Sequence, residues 1–191
     1  MEFASFLRRH IEEIVPLSDE EFGEVARHFV PRTVAKQDYL IEVGHRVATE
    51  FLVVKGCLKT SAYDEEGKEY IVQFALENWW VSDYPALTHK ASAGMAVQAL
   101  EPSIVLELPV EQRDNMCQQV PAMHIFFGNK ALRGYVAAQN RVLSLLRNSA
   151  KEKYELLLGQ YPELFQRLPK RTLAHYLGVS RETLSRLEKR G

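Results

Sequence analysis

Lys170 to Leu187 reads KRTLAHYLGVSRETLSRL, and this stretch decides how the C-terminal end of the chain folds. Apolar residues fall at Leu173, Leu177, Val179, Leu184 and Leu187, with small Ala174 and Gly178 among them. That spacing describes two short helices crossing at a tight turn. Ala174 leaves room for the second helix to approach the first, and Gly178 supplies the positive φ that the turn needs. Ser180 is a good N-cap and Thr183 follows three residues on, which starts the second helix at about Arg181. Its early exposed positions are then Arg181, Glu182, Ser185 and Arg186. A helix-turn-helix presents such a face to the DNA major groove. An ordinary helical hairpin in a core is the competing reading.

Charge favours the first reading. Gln166 to Gly191 holds seven Lys or Arg and two Asp or Glu, in a 191-residue chain of net charge −1. The remainder is acidic, so phosphate contact is expected at one end only. The 46% hydrophobic and 26% charged content is that of a globular protein rather than a disordered one.

Upstream, Phe3 to Val15 and Ser18 to Phe29 read as two amphipathic helices separated by Pro16, with Ser18 and Glu21 forming a capping box. From about Thr33 to Leu108 the texture becomes that of short strands. Tyr39–Glu42, Glu50–Lys55, Cys57–Tyr63, Glu69–Ala75, Met95–Ala99 and Ile104–Pro109 are separated by Gly44, Gly56, Asp64-Glu65-Glu66-Gly67 and Glu101-Pro102-Ser103. Strands at this spacing predict a β-sandwich or jelly-roll barrel. A short helix near Glu111–Gln119 precedes Pro121, and a long one runs from about Ala122 to Arg147. At 1.5 Å per residue it extends ~37 Å, which suits a dimer seam or an interdomain spine as well as a helix packed on its own barrel. Ala150–Gln160 follows as another helix, and Pro162 and Pro169 punctuate the approach to the helix-turn-helix.

Several chemistries lack their residues. Cys57 and Cys117 form no CxxC pair and no disulfide framework, so a reducing cytoplasm is the expected compartment. No apolar run reaches transmembrane length and no signal peptide appears, so no membrane partner is expected. The histidines form no HxH, HExxH or i, i+4 pair, and no phosphate-binding GxxxxGK[ST] loop occurs. An iron–sulfur sensor would need a cysteine cluster. No metal, cofactor or enzymatic activity is expected.

The order of helices, β-roll, long helix and helix-turn-helix resembles the cyclic-AMP receptor and fumarate-nitrate regulator family of bacterial transcription factors. Val54-Lys55-Gly56 and Asp64-Glu65-Glu66-Gly67-Lys68-Glu69 are similar to family turn segments, and Ser180-Arg181-Glu182-Thr183 with Arg186 to the family recognition helix. The resemblance implies an α+β fold in three parts. Residues 1–120 would form a cyclic-nucleotide-binding-like β-roll with flanking helices, 121–148 a long dimerisation helix, and 149–191 a helix-turn-helix lacking most of the wing many members carry. It implies a homodimer that binds double-stranded DNA, with RNA polymerase as a further partner. Arg181 and Arg186 would contact guanine, Glu182 would accept from cytosine N4, and Lys170, Arg171, Ser180, Thr183 and Lys189 would touch phosphates. Asn148 and Ser149 would be the hinge.

The roll departs from the family pattern at its phosphate cassette. Where cyclic-nucleotide binders carry Gly-Glu and then Arg-Ser, this chain has Ser82-Asp83 and Ala93-Gly94. Without the arginine a buried phosphate lacks its charged partner, so the family's usual cyclic AMP binding is not expected. Trp79 and Trp80 precede this segment and are expected, with Ser82, Asp83, Ala93 and Gly94, to line the pocket of an unknown small-molecule effector, if one binds. The alternative function is a small-molecule-binding signalling module whose helical tail docks a protein partner.

Overall fold

In a computed structural model, which describes residues 2–188, the chain stacks as helices, sheet, sheet, helices. The elements run α1 (Glu2–Glu12), α2 (Asp19–Ala26), β1 (Val30–Val34), β2 (Tyr39–Ile41), β3 (Thr49–Lys55), β4 (Leu58–Tyr63), β5 (Glu69–Ala75), β6 (Trp80–Val81), α3 (Tyr84–His89), β7 (Ala96–Ala99), β8 (Ser103–Pro109), α4 (Val110–Gln119), α5 (Ala122–Arg147), α6 (Ala150–Gln160), α7 (Pro162–Arg167), α8 (Lys170–Leu177) and α9 (Arg181–Glu188). One sheet has the order β1-β8-β3-β6 and the other β2-β7-β4-β5, with every neighbouring pair antiparallel. This is the expected jelly roll.

Strand alternation explains the layering. Phe51 and Val53 of β3 and Val105 of β8 face inward, against Leu58, Ala75, Val97 and Ala99 of the other sheet. The intervening Leu52, Leu106 and Leu108 face outward and pack with Leu7 and Ile11 of α1, Val25 of α2, Met116 of α4 and Phe126 of α5. On the far side, Ile71 and Phe74 of β5 turn outward to a third core made with Tyr154, Leu157, Leu164, Leu173, Leu177 and Leu184 of the last four helices. Each sheet therefore has helices packed on part of its outer face.

Gly56 packs directly against Ser103. Its φ is +109°, and a Cβ there would lie 2.2 Å from Ser103 Oγ and 2.8 Å from Ser103 Cα. The β4–β5 turn is closed by Asp64, whose carboxylate accepts from the N–H groups of Glu66 and Lys68 at 3.1 and 2.9 Å, with Gly67 at φ +79°.

The structure adds elements that the residue pattern does not announce. β1 is an edge strand with Val30, Pro31, Arg32 and Thr33 exposed, so it lacks the apolar alternation of a buried strand. The two-residue β6, α3 and α7 are too short to show a period; Pro162 is the first residue of α7 rather than a break. The first two helices stop at Glu12 and Ala26, short of Val15 and Phe29. The Ser18–Glu21 capping box is present.

Candidate functional site

The helix-turn-helix is built from its small and apolar residues. Leu173, Ala174, Leu177 and Leu184 are buried, and Gly178 takes φ +66° and ψ +37° at the end of α8. The Gly178 N–H donates to the Ala174 and His175 carbonyls, and the Val179 N–H to Ala174, which closes the left-handed cap. Ser180 Oγ then accepts from the Thr183 N–H at 3.1 Å and starts α9 at Arg181.

Arg181, Glu182 and Arg186 are exposed on α9, while Thr183 and Ser185 are half-buried. The Thr183 hydroxyl sits 3.1 Å from Ser180 Oγ and accepts from Arg186 Nη2 at 3.4 Å. The Glu182 carboxyl is held below its usual range by hydrogen bonds from its own N–H and from Ser180. Arg171 is exposed on α8, and Lys170 forms an ion pair with Glu188. Lys189 lies outside the described residues. The face carries the planar cations and the carboxylate that major-groove readout uses.

At the other end of the roll, Asp83 is 1% exposed. Its Oδ1 accepts from the Ala86 N–H at 3.1 Å, capping α3, and its Oδ2 accepts from the N–H groups of Gly94 and Met95 at 2.8 and 2.9 Å. Ser82 donates to the Thr49 carbonyl at 2.9 Å, and Ala93 is buried. Asp83 and Gly94 are thus brought together. Trp79 packs on the core that contains Ala86, Leu87 and Ala93 and on the core under the last helices, whereas Trp80 packs on the core of α1, α2, α4 and α5. Trp80 donates from Nε1 to His10 Nε2 at 3.1 Å and packs edge-on to Phe29, Phe126 and Phe127. Trp79 meets the Tyr161 ring edge-on, 5.1 Å between centroids. Trp79 precedes β6, which begins at Trp80, and the two rings pack on different cores.

Three further contacts join the last helices to the rest of the chain. Arg167 of α7 binds Glu77 through both Nη atoms at 2.9 and 3.0 Å and also pairs with Glu101. Glu77 accepts from the Gly56 N–H at 2.8 Å as well. Burial opposes ionisation of Glu77, but these hydrogen bonds hold its carboxyl below the usual range. Phe74 and Tyr176 ring centroids lie 4.6 Å apart, and Arg141 of α5 lies over the same tyrosine ring. No local period marks Arg141, Arg167, Glu77 or Glu101, because each finds its partner across the fold.

Two of the helices differ in how far they are covered. Residues 131–140 of α5 are exposed throughout. Ile125, Asn129, Leu132, Val136, Gln139, Leu143 and Leu146 recur at alternating steps of four and three, with Leu132 62% and Leu146 78% exposed. Asn148 then leaves the helix in extended conformation and Ser149 caps α6 with Glu152 in a capping box. Among the described residues no group of three or more His, Cys, Asp or Glu could hold a metal ion, and no helix is long and apolar enough to cross a membrane.

Comparison with known proteins gives the same architecture. The model of the cyclic nucleotide-binding domain matches residues 31–120. The transcriptional activator protein anr of Pseudomonas aeruginosa is 27% identical over 169 residues, covering 82% of this chain and 68% of the relative. The fumarate and nitrate reduction regulatory protein of Vibrio cholerae is 26% identical, covering 82% and 66%. Among solved structures, FixK2 from Bradyrhizobium japonicum superposes with a TM-score of 0.70 at 18% identity, covering 85% of this chain and 83% of that one.

Proposed function

We propose that the chain is a member of the cyclic-AMP receptor and fumarate-nitrate regulator family, supported by the comparisons above, and that it is a cytoplasmic, homodimeric, DNA-binding transcriptional regulator reading a near-palindromic site. The observation that carries this reading is the exposed face of α9, with Arg181, Glu182 and Arg186 presented on a closed helix-turn-helix framework.

Arg181 and Arg186 are assigned to guanine O6 and N7 and Glu182 to cytosine N4. Lys170, Arg171, Ser180, Thr183 and Lys189 are assigned to phosphates, which fix register without reading sequence, and Ser185 completes the face. For Lys170 this requires exchanging Glu188 for a phosphate oxygen.

The four-three stripe on α5 supports pairing with a second copy. Its apolar positions match a coiled-coil seam, and Asn129 and Gln139 within it would fix register. A parallel pair of such helices would carry two recognition helices to successive major grooves ~34 Å apart. In this reading residues 1–120 are the roll, 121–148 the dimer helix and 149–191 the DNA-binding part, with the hinge at Asn148 and Ser149. RNA polymerase would be the partner through which transcription responds.

The test is selection from a random duplex pool on purified protein at near-physiological salt. An enriched palindrome with half-sites about one helical turn apart is expected. Absence of enrichment across salt concentrations, with shallow salt dependence of duplex binding, would favour a module that docks a protein instead.

A further inference from the structure

The cassette segment between β6 and β7 has an anion-binding geometry whose donors are already used. Three backbone N–H groups, from Ala86, Gly94 and Met95, converge on a single side chain. They come from two places in the chain, the first turn of α3 and the entry to β7, so they are brought together by folding rather than by one local turn. Converging N–H groups of this kind receive phosphate or carboxylate oxygens in many proteins. Here the oxygens belong to Asp83, which is 1% exposed and spends both of them on these donors.

We propose that the Asp83 carboxylate is a tethered anion occupying the phosphate position of the cassette, so that the roll takes no anionic effector there. A cyclic nucleotide or free phosphate would have to displace a covalently attached competitor. Tethering gives that competitor a high effective concentration at the site. An incoming phosphate would also sit beside a buried negative charge with no arginine at 93 or 94 to balance it. The same three bonds tie α3 to β7. The cassette is therefore held in one arrangement, and ligand binding at this site has no second arrangement to select. That Asp83 fills this cluster of N–H groups rests on the geometry; that the cluster is the phosphate position rests on the resemblance, and the regulatory meaning, ligand-independent DNA binding, rests on the function proposed above.

The test follows the amide resonances of Gly94 and Met95 in the full chain, labelled with nitrogen-15. In the wild type both amides should exchange slowly with solvent. Neither should move on addition of cyclic AMP or inorganic phosphate at millimolar concentration. In Asp83→Ala both should exchange at least ~10-fold faster, and inorganic phosphate should move them saturably. Asp83→Asn, which keeps the side-chain shape, serves if Asp83→Ala does not fold; its amides should also exchange faster. The wild-type measurement decides on its own. Saturable movement of either amide by cyclic AMP or phosphate, or fast exchange without ligand, overturns the proposal. So does unchanged exchange in a folded variant, or a variant whose opened amides ignore phosphate. Duplex binding is measured separately by fluorescence anisotropy. Silent amides in a protein that fails to bind any duplex would remove the regulator reading and leave the Asp83 assignment standing.

Discussion

The guanidinium of Arg141 lies 3.6 Å from the centre of the Tyr176 ring and donates to the Tyr176 carbonyl oxygen. One side chain of the long helix thus grips both the face and the backbone of the first helix of the helix-turn-helix. Burial lowers the Arg141 pKa from its ordinary value, yet that value starts so high that the charge is kept at neutral pH. Replacing Arg141 by Ala removes the stacked cation and the charged hydrogen bond together. The expected loss is about 1–3 kcal/mol, read as a lower midpoint of thermal unfolding. Arg141→Lys should restore only part of it, because an ammonium cannot lie flat on the ring. Equal stability of the Ala variant and the wild type would show that this contact contributes nothing.

Arg167 stands between two carboxylates, and both lift its pKa while it holds them in place. In Arg167→Ala, Glu77 and Glu101 would face each other without a cation. A loss of about 1–3 kcal/mol at neutral pH is expected, moderated by the partial exposure of the group. The pH dependence distinguishes charge from packing. Wild-type Glu77 has a depressed folded pKa, so its contribution is present above the unfolded value and is lost as pH falls through the folded one. The gap between wild type and variant should therefore close as pH drops through the carboxylate range. A gap constant with pH would assign the loss to packing alone.

Gly56→Ala tests the close approach within the roll. The new Cβ would meet Ser103 backbone as well as its side chain, and φ +109° is strained for any L side chain. A destabilisation of at least ~2 kcal/mol is expected in chemical denaturation. Gly44→Ala, where φ is +86° but a Cβ meets nothing within 4 Å, should lose less. If the two variants were equally stable, the Ser103 contact would not matter.

His10 gives the core a pH limit. It is 1% exposed and accepts the Trp80 N–H, and burial, with Lys130 adding to it, lowers its pKa from 6.5 to about 4. The unfolded chain binds the proton first, so stability contributed by neutral His10 is fully present above about 6.5 and declines as pH falls toward 4. The depression corresponds to about 3 kcal/mol. His10→Gln or His10→Phe should flatten stability between pH 6.5 and pH 4 relative to the wild type. An unchanged slope in both would mean that another group titrates there.

On DNA, Arg181→Ala and Arg186→Ala should each lose about 1–3 kcal/mol on the selected site and relax its sequence preference. Lys170→Ala should weaken all duplexes about equally and reduce the salt slope by about one. Intact discrimination in Arg186→Ala would remove that arginine from base reading.

The elements with a strong period were legible in the sequence. α5 and α6 run between the expected residues, and Gly178, Ser180 and Arg181 occupy their anticipated places in the turn, the cap and the start of α9. An apolar face repeated over several turns leaves a trace in the order of residues, whether or not the single chain buries it. β1 left none because four of its five residues are exposed, and α3 and α7 are too short to repeat anything. Asp83 was visible as a departure from the family pattern, but its role was not. What a buried carboxylate does depends on which N–H groups reach it, and two of the three lie eleven and twelve residues away. The two tryptophans are adjacent in sequence, yet Trp80 packs against Phe127 and Trp79 against Tyr161, a separation that only the fold shows.

Cys57, Ile71, Phe74 and Leu76 complete the core under the last four helices. Those helices are therefore not an interchangeable cartridge. A chimera that grafted residues 149–188 onto another roll would carry a raw apolar underside unless those four upstream residues travelled with it. On the function proposed above, exchange of readout specificity is thus easier by point changes on the exposed face of α9 than by recombination, and the seam between the two regions should drift as a matched set.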